Sequence, residues 1–460
     1  MTAPRSAHLS TEISNKAFMK LFRPLPLALA VTLALSLPAS AQSLVDLYGA
    51  ARSYDATYQA AKSQFESAQA KAAQARAGIL PSAGLVMDAN RTNLVSHPEL
   101  GPRSESTFGS NSASLSGTQP LYRPANWISL EQGQKNAELS QAQLLAAEQD
   151  LVVRVSQAYF DVLAAQDSLT FVKAQKAAVA EQLASAKRNF EVGTSTITDT
   201  REAQARYDLV IAQEIAAEND LRIKRIALDQ LVGKPDSQPK PLALPVAMPA
   251  LQPDNANAWV QQAQASHPGI AQARLGLDIA KLETDKARTG HKPTLDLYGN
   301  YKLSQNNGSA LGGPDSRSNS ATVGLTFTVP LFAGFAVQNR IKETLALQDK
   351  ASSDLDFQQR KATQDTSSAF LSVLSLQGQV KAFEAAEVST QSALDANKLG
   401  YQVGVRINID VLNSQSQLFD TKAKLAKARY DVLLTGLKLR QAAGVLKAED
   451  LNPVNALLVK

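Results

Sequence analysis

Val192-Gly193-Thr194-Ser195-Thr196-Ile197-Thr198-Asp199 returns, 211 residues further along the chain, as Val403-Gly404-Val405-Arg406-Ile407-Asn408-Ile409-Asp410. Two more pairs precede these. Ala75-Arg76 followed by Pro81 returns as Ala287-Arg288 followed by Pro293, and Pro120-Leu121-Tyr122 returns as Pro330-Leu331-Phe332, at displacements of 212 and 210. A displacement this constant marks a duplicated structural unit, each half supplying equivalent parts to one object. Both halves read in the same order: helix, strand, loop, strand, very long helix, tip, helix.

The helices are too long for a compact domain. No proline interrupts Ala125 to Glu191, and Leu151, Val155, Ala158, Val162, Ala165, Leu169, Val172, Val179, Leu183, Ala186 and Phe190 recur at alternating spacings of four and three, broken only at Lys176. Such a seam belongs to helices that coil around neighbours with a left-handed twist. At 1.5 Å per residue the helix runs roughly 100 Å. The second copy predicts its counterpart from about Phe335 to Val403, and shorter helices are expected from Leu44 to Gly78 and from Asp199 to Val232. Alanine in the seam lets backbones approach closely, which suits a wall of helices. By themselves these helices suit an elongated coiled-coil rod equally well.

The strands point elsewhere. Leu295, Leu297, Tyr301 and Leu303 alternate with Asp296, Tyr298, Asn300, Lys302 and Ser304, and Val323, Leu325, Phe327 and Val329 alternate with Thr322, Gly324, Thr326 and Thr328. One apolar and one polar face suit strands between lipid and water, about 9–11 residues long. The first copy, Leu85–Leu94 and Ala113–Tyr122, is diluted by Ser, Ala and Gly. Soluble hairpins show the same alternation, but the polar loop Gln305 to Asn319 and the lack of a candidate core favour a barrel. Four strands cannot close one, since about eight is the practical minimum, so the chain is expected to oligomerise.

The chain's start reads as an export signal. Met19-Lys20-Leu21-Phe22-Arg23 is basic, Leu25 to Leu37 is an apolar run of 13 residues, and Ala39-Ser40-Ala41 is a small-x-small cleavage site. We read residues 1–41 as a secretory signal peptide, with translation expected to start at Met19. Its removal takes the net charge from +5 to near neutrality, leaving 43 basic and 41 acidic residues, so no nucleic-acid partner is expected. There is no cysteine, hence no disulfide and no acylated cysteine anchor.

With these features in order and doubled, the chain resembles the TolC family of outer-membrane channels from Ser43 to about Leu458. The resemblance rests on Ala-Arg-x4-Pro-x3-Leu at the end of the first helix of each copy, Pro-Leu-aromatic after the second strand, and the tips Phe190-Glu-Val-Gly-x4-Thr198-Asp199 and Tyr401-Gln-Val-Gly-x-Arg406-x3-Asp410-Val-Leu. It implies a mainly α fold with a membrane β-barrel. Each protomer would give four β-strands to a 12-stranded trimeric barrel and long helices to a periplasmic α-barrel. The expected organisation is a first repeat over 42–232, a Pro-rich segment over 233–257, a second repeat over 258–443 and a tail over 444–460. The Pro-rich segment and tail would belong to an equatorial belt by resemblance, although proline content alone equally suits a plain linker.

The resemblance also implies a gate. Tyr401 and Arg406 would bond towards Thr198 and Asp199, within and between subunits, and Asp410 would face the axis as a ring of three carboxylates. The bland alternative is helix capping: Asp199-x-x-Glu202 is a capping box, and Asp410 too sits where a helix begins. Related channels often carry a second acidic residue one turn on, where this chain has Asn413, so cation selectivity is expected to be weaker. The implied partners are a homotrimer, outer-membrane lipid, a periplasmic adaptor of the membrane fusion type, and an inner-membrane ABC or RND transporter. No cofactor or metal is expected: His97, His267 and His291 lie at no ligand spacing and read as solvated surface residues. No nucleophile or phosphate loop suggests an enzyme. The function expected is an exit duct for type I protein secretion or drug efflux. Its rival is a non-conducting periplasmic coiled-coil adaptor or scaffold, and the lipid-facing strands discriminate against it.

Overall fold

A computed structural model of the chain describes residues 41–459 apart from 100, 247 and 309–312, so the signal peptide lies, but for Ala41, outside the described residues. The first repeat contains α1 (Leu44–Tyr54), α2 (Ala56–Ala75), β1 (Ser82–Ser96), β2 (Ser104–Tyr122), α3 (Pro124–Glu191) and α4 (Ile197–Val232). The second contains α5 (Ala256–Ser266), α6 (Pro268–Arg288), β3 (Thr294–Asn307), β4 (Ser316–Thr328), α7 (Ala336–Gln402) and α8 (Asn408–Ala442), and a short α9 (Leu451–Asn455) follows. The single helix expected from Leu44 to Gly78 is in fact two.

That break falls at the same place in both repeats, at Asp55 and at His267, 212 residues apart. Pro268 bars the helical conformation from His267, and Asp55 leaves it to cap α2. The Asp55 carboxylate accepts from the Tyr58 amide at 2.8 Å and from both terminal nitrogens of Arg154 at 2.9 Å. The Arg154 guanidinium holds the Asp55 carboxyl below the usual carboxylate range, against the opposing effect of burial. His267 caps α6 with its Nδ1, which accepts from the Gly269 amide at 3.1 Å. Burial pushes this imidazole down, Asp365 opposes that and Lys361 adds to it. Position 365 corresponds to Arg154, 211 residues on, so the two joints carry reversed charges. His267 is therefore no solvated surface histidine, whereas His97 and His291 are exposed.

The second joint is expected to respond to pH. The folded state prefers neutral His267, because protonation turns the accepting Nδ1 into a donor facing the Gly269 N–H. Its stabilisation is complete above the unfolded pKa of about 6.5 and is lost as pH falls below it. Melting temperature is expected to drop between pH 7.5 and 5.5, and His267→Asn, which keeps an accepting cap, to flatten that drop. Identical pH profiles for both proteins would refute the assignment.

The helices form a wall one helix thick. Towards the sheet the order is α2, α3, α6, α7; towards the opposite end it is α4, α3, α8, α7. Seam residues Leu151, Val155, Val162, Ala165, Val179, Leu183 and Ala186 are buried as the periodicity demands. The interruption at Lys176 is an ion pair with Glu214 of α4. Gly133 lets α3 pack closely on α2: a Cβ there would stand 3.0 Å from Ala75 Cβ and 3.3 Å from Ala72 Cα. No described helix is long and apolar enough to cross a membrane.

The four strands make one antiparallel sheet in the order β1-β2-β3-β4. Its register places Leu85 opposite Leu115, Leu115 opposite Tyr301, Tyr301 opposite Ala321 and Leu297 opposite Leu325. The alternations of all four strands therefore fall into phase, and Leu85, Met87, Leu115, Tyr301, Leu303, Val323, Leu325 and Phe327 form one exposed apolar face. The other face carries Ser112, Ser114, Ser116, Asn300, Lys302 and Thr322. A row of exposed leucine and phenylalanine of this extent needs an apolar medium. The first hairpin is longer than its pattern suggested, because small polar residues on the watery face blur the alternation without weakening the ladder. At the sheet's base Asp296, 8% exposed, holds Arg123 by two hydrogen bonds of 2.7 and 2.6 Å.

The Pro-rich segment does not run free. The Gln42 amide donates to Gln238 O and the Lys240 amide to Gln42 O, while the Ala243 amide donates to Leu457 O and the Val459 amide to Pro241 O. Beneath these bridges Leu44, Leu47, Leu228, Leu242, Leu446, Leu451 and Leu458 pack on Leu151, Val155 and Tyr159 of α3.

Candidate functional site at the helix tips

Both long helices end in the same turn. Gly193 and Gly404 have φ of 79° and 77°, a conformation that costs glycine little. Thr194 N donates to Asn189 O at 2.8 Å and Gly193 N to Phe190 O at 3.0 Å; Val405 N and Gly404 N repeat this on Gly400 O and Tyr401 O at 2.8 and 3.1 Å. These are Schellman closures, which satisfy the last carbonyls of α3 and α7. The repeated Val-Gly pairs in the sequence are thus a backbone requirement.

The helices that follow start differently. Thr196 caps α4: its Oγ1 accepts from the Asp199 amide at 3.3 Å, and Asp199 Oδ2 accepts from Thr196 N at 3.0 Å, from Thr196 Oγ1 at 2.9 Å and from Ser195 Oγ at 2.7 Å. The capping box is therefore Thr196-x-x-Asp199, one turn earlier than the sequence-based Asp199-x-x-Glu202. Burial pushes the Asp199 carboxyl up, but the bonds from Ser195 and Thr196 outweigh it and hold it low. In the second repeat Ile407 replaces the capping threonine, and α8 begins without a side-chain cap.

The expected network is redistributed within the protomer. Asp199 spends its carboxylate on its own turn, and Thr198 is exposed to solvent. Tyr401 Oη accepts from Asn189 Nδ2 of α3 at 3.3 Å. Arg406 lies 3.8 Å from Asp410, with side chains 59% and 34% exposed. Tyr401 and Arg406 thus do not reach Thr198 or Asp199 inside one chain. The reason is local: short polar side chains at a helix start bond their own backbone first.

Three residues that the sequence reading passed over join the two hairpins. Asn408, fully buried, donates from Nδ2 to Asp199 O at 3.2 Å and accepts at Oδ1 from Gln182 Nε2 of α3. Arg206 of α4 donates from Nη2 to Asn413 Oδ1 of α8 at 2.7 Å. Beside these bonds Leu412 enters an apolar cluster with Val179, Leu183, Ala186, Ala203 and Val210. The one available signal was Asn408 itself, a buried amide among isoleucines, since position 407 to 409 reads Ile-Asn-Ile. Between the hairpins lies a polar cleft of about 830 Å³, lined among others by Arg188, Lys398, Tyr401, Arg406, Asp199 and Gln415. Among the described residues no group of three or more His, Asp or Glu side chains could hold a metal ion.

A sheet with one lipid-compatible face, continued by a single-layer helical wall that ends in hydrogen-bonded hairpin tips, defines a protomer of an outer-membrane channel. The family model for the outer membrane efflux protein matches the chain twice, over residues 47–234 and 259–445, and the chain belongs to that family. It is 33% identical to outer membrane protein TolC of Vibrio cholerae over 417 residues, 90% of this chain and 94% of that one. To the alkaline protease secretion protein AprF of Pseudomonas aeruginosa it is 31% identical over 430 residues, 92% and 88% of the two chains. The solved structure of the outer membrane protein VceC from Vibrio cholerae superposes with a TM-score of 0.73 at 18% identity, covering 87% of this chain and 96% of that one. The two matches to one model restate the internal repeat. The chain is an outer-membrane protein of the Gram-negative type, reaching into the periplasm, and a passive conduit for secretion or efflux; it is not an enzyme.

Proposed function

We propose that three copies of this chain close a 12-stranded barrel and a helical tunnel, gated at the tips, that receives substrates from a periplasmic adaptor and an inner-membrane ABC or RND transporter. The observation that carries this is the pair of open edges on the protomer. One side presents β1, α2 and α4 and the other presents β4 and α7, at every level from sheet to tip. Ile215, Ile223 and Ile226 on α4, and Phe357, Leu371 and Val388 on α7, stay exposed along them. Unlike edges that meet by rotation make a closed ring, and family membership favours three copies. The organisation expected from sequence, two repeats with a Pro-rich segment over 233–257 and a tail over 444–460, fits such a subunit.

Asp410 and Asn413 stand one turn apart on α8, and in this proposal they face the axis near the entrance. A ring of Asp410 carboxylates attracts cations and raises the barrier to anions. Protein extracted with detergent and placed in planar bilayers is expected to give small conductance steps. Asp410→Ala is expected to lower the ratio of potassium to chloride permeability. Folded protein that forms no channel would overturn the duct in favour of a non-conducting adaptor. Secretion of polypeptides is favoured by the 31% identity to the alkaline protease secretion protein AprF.

A further inference from the structure

We infer that Arg206 sets both the charge and the closure of the tunnel entrance in this chain. The inference rests on the duct reading above and concerns a residue on α4, outside the tip turn. Asn413 follows Asp410 by one turn and offers a carboxamide where a carboxylate would add charge. Its Oδ1 is taken by Arg206 Nη2 at 2.7 Å. Among the described residues no carboxylate pairs with Arg206, so its positive charge is not cancelled locally. Arg406 lies 3.8 Å from Asp410, so each protomer brings to this level one carboxylate, Asp410, and two guanidinium groups, Arg206 and Arg406. Three protomers would make a mixed ring, which admits anions more readily than carboxylates alone.

The same bond is a strap. Arg206 sits between Ala203 and Val210, the α4 residues that clasp Leu412, and Asn413 is the next residue on α8. The guanidinium closes over that cluster from α4, on the side where α4 and α8 border a groove floored by Phe171, Val172 and Gln175 of α3. Moving the α7–α8 hairpin away from α3–α4 breaks this bond together with those of Asn408. Charge and strap are separable: lysine keeps the first, but its single ammonium group lacks the planar fork that reaches a fixed acceptor.

Single-channel recording in planar bilayers under a potassium chloride gradient tests both roles, using wild type, Arg206→Gln, Arg206→Lys, Asn413→Asp and the double variant Arg206→Gln/Asn413→Asp. Arg206→Gln is expected to raise the ratio of potassium to chloride permeability roughly two- to five-fold and to enlarge the conductance step. Arg206→Lys is expected to enlarge the step with a wild-type ratio. Asn413→Asp alone is expected to raise the ratio only slightly, since Arg206 would pair with the new carboxylate. The double variant is expected to exceed the product of the single effects. The inference is overturned if channels form but Arg206→Gln keeps the wild-type ratio and step, or if Asn413→Asp alone matches the double variant. Absence of any channel in the wild type would instead sink the duct itself.

Discussion

Replacing Asn408 with alanine is expected to loosen the tip and shift the channel towards its open form. Asn408 is fully buried and holds both a backbone carbonyl of α4 and an amide of α3. Alanine would leave Gln182 Nε2 without its acceptor and Asp199 O with only its helical bond, beside the buried Val411 and Leu412. A buried group left unpaired costs roughly 1–3 kcal/mol, and 2 kcal/mol corresponds to about a 30-fold shift in a two-state equilibrium. Larger conductance steps and faster hydrogen exchange at the start of α4 are the readouts. Gln182→Ala removes one bond of the pair and is expected to give a smaller shift. The double variant should be no worse than Asn408→Ala, because the partner lost second is already unpaired. Wild-type steps and wild-type exchange in Asn408→Ala would show that these bonds do not close the tip.

Arg154→Leu is expected to destabilise the fold strongly, far from the tips. Asp55 is 8% exposed, and Arg154 supplies two of its hydrogen bonds while also donating from Nε to Asp150 at 2.6 Å. Removing one partner leaves a buried carboxylate uncompensated, which costs 3–5 kcal/mol in fully buried pairs; with Arg154 about one-third exposed, about 3 kcal/mol is the appropriate figure. Thermal melting in detergent should fall accordingly. Arg154→Leu combined with Asp55→Asn is expected to recover part of the loss, because asparagine keeps the cap on α2 without the charge. If the double variant melts lower than Arg154→Leu alone, the buried charge is not what makes the single change costly.

Much of the architecture was legible along the chain. The Val-Gly turns, the three-four seam and the two-residue alternation of β3 and β4 are local patterns, set by backbone geometry within a few residues. The joints at Asp55 and His267 were missed, although Pro268 marked the second and the 212-residue displacement carries it onto the first. The capping box was read one turn late, because Asp199 was taken as the cap itself and not as the partner of Thr196. The tip contacts were hardest: Asn408 meets Gln182 across 226 residues and Arg206 meets Asn413 across 207.

By itself, then, the sequence determined the duplication, the lengths of the helices, the strands suited to lipid and the turns that end α3 and α7, since each follows from periodicity or from one residue's backbone freedom. Only the tertiary structure decided which polar groups meet at the tip. Periodicity says which stripe of a helix is buried, but the partners across that stripe depend on the rotation and axial offset of each helix against the next. Side-chain packing along more than 60 residues sets those quantities in α3 and α7. A shift of one turn would hand Asp199, Asn408 and Asn413 different neighbours while leaving every sequence pattern unchanged.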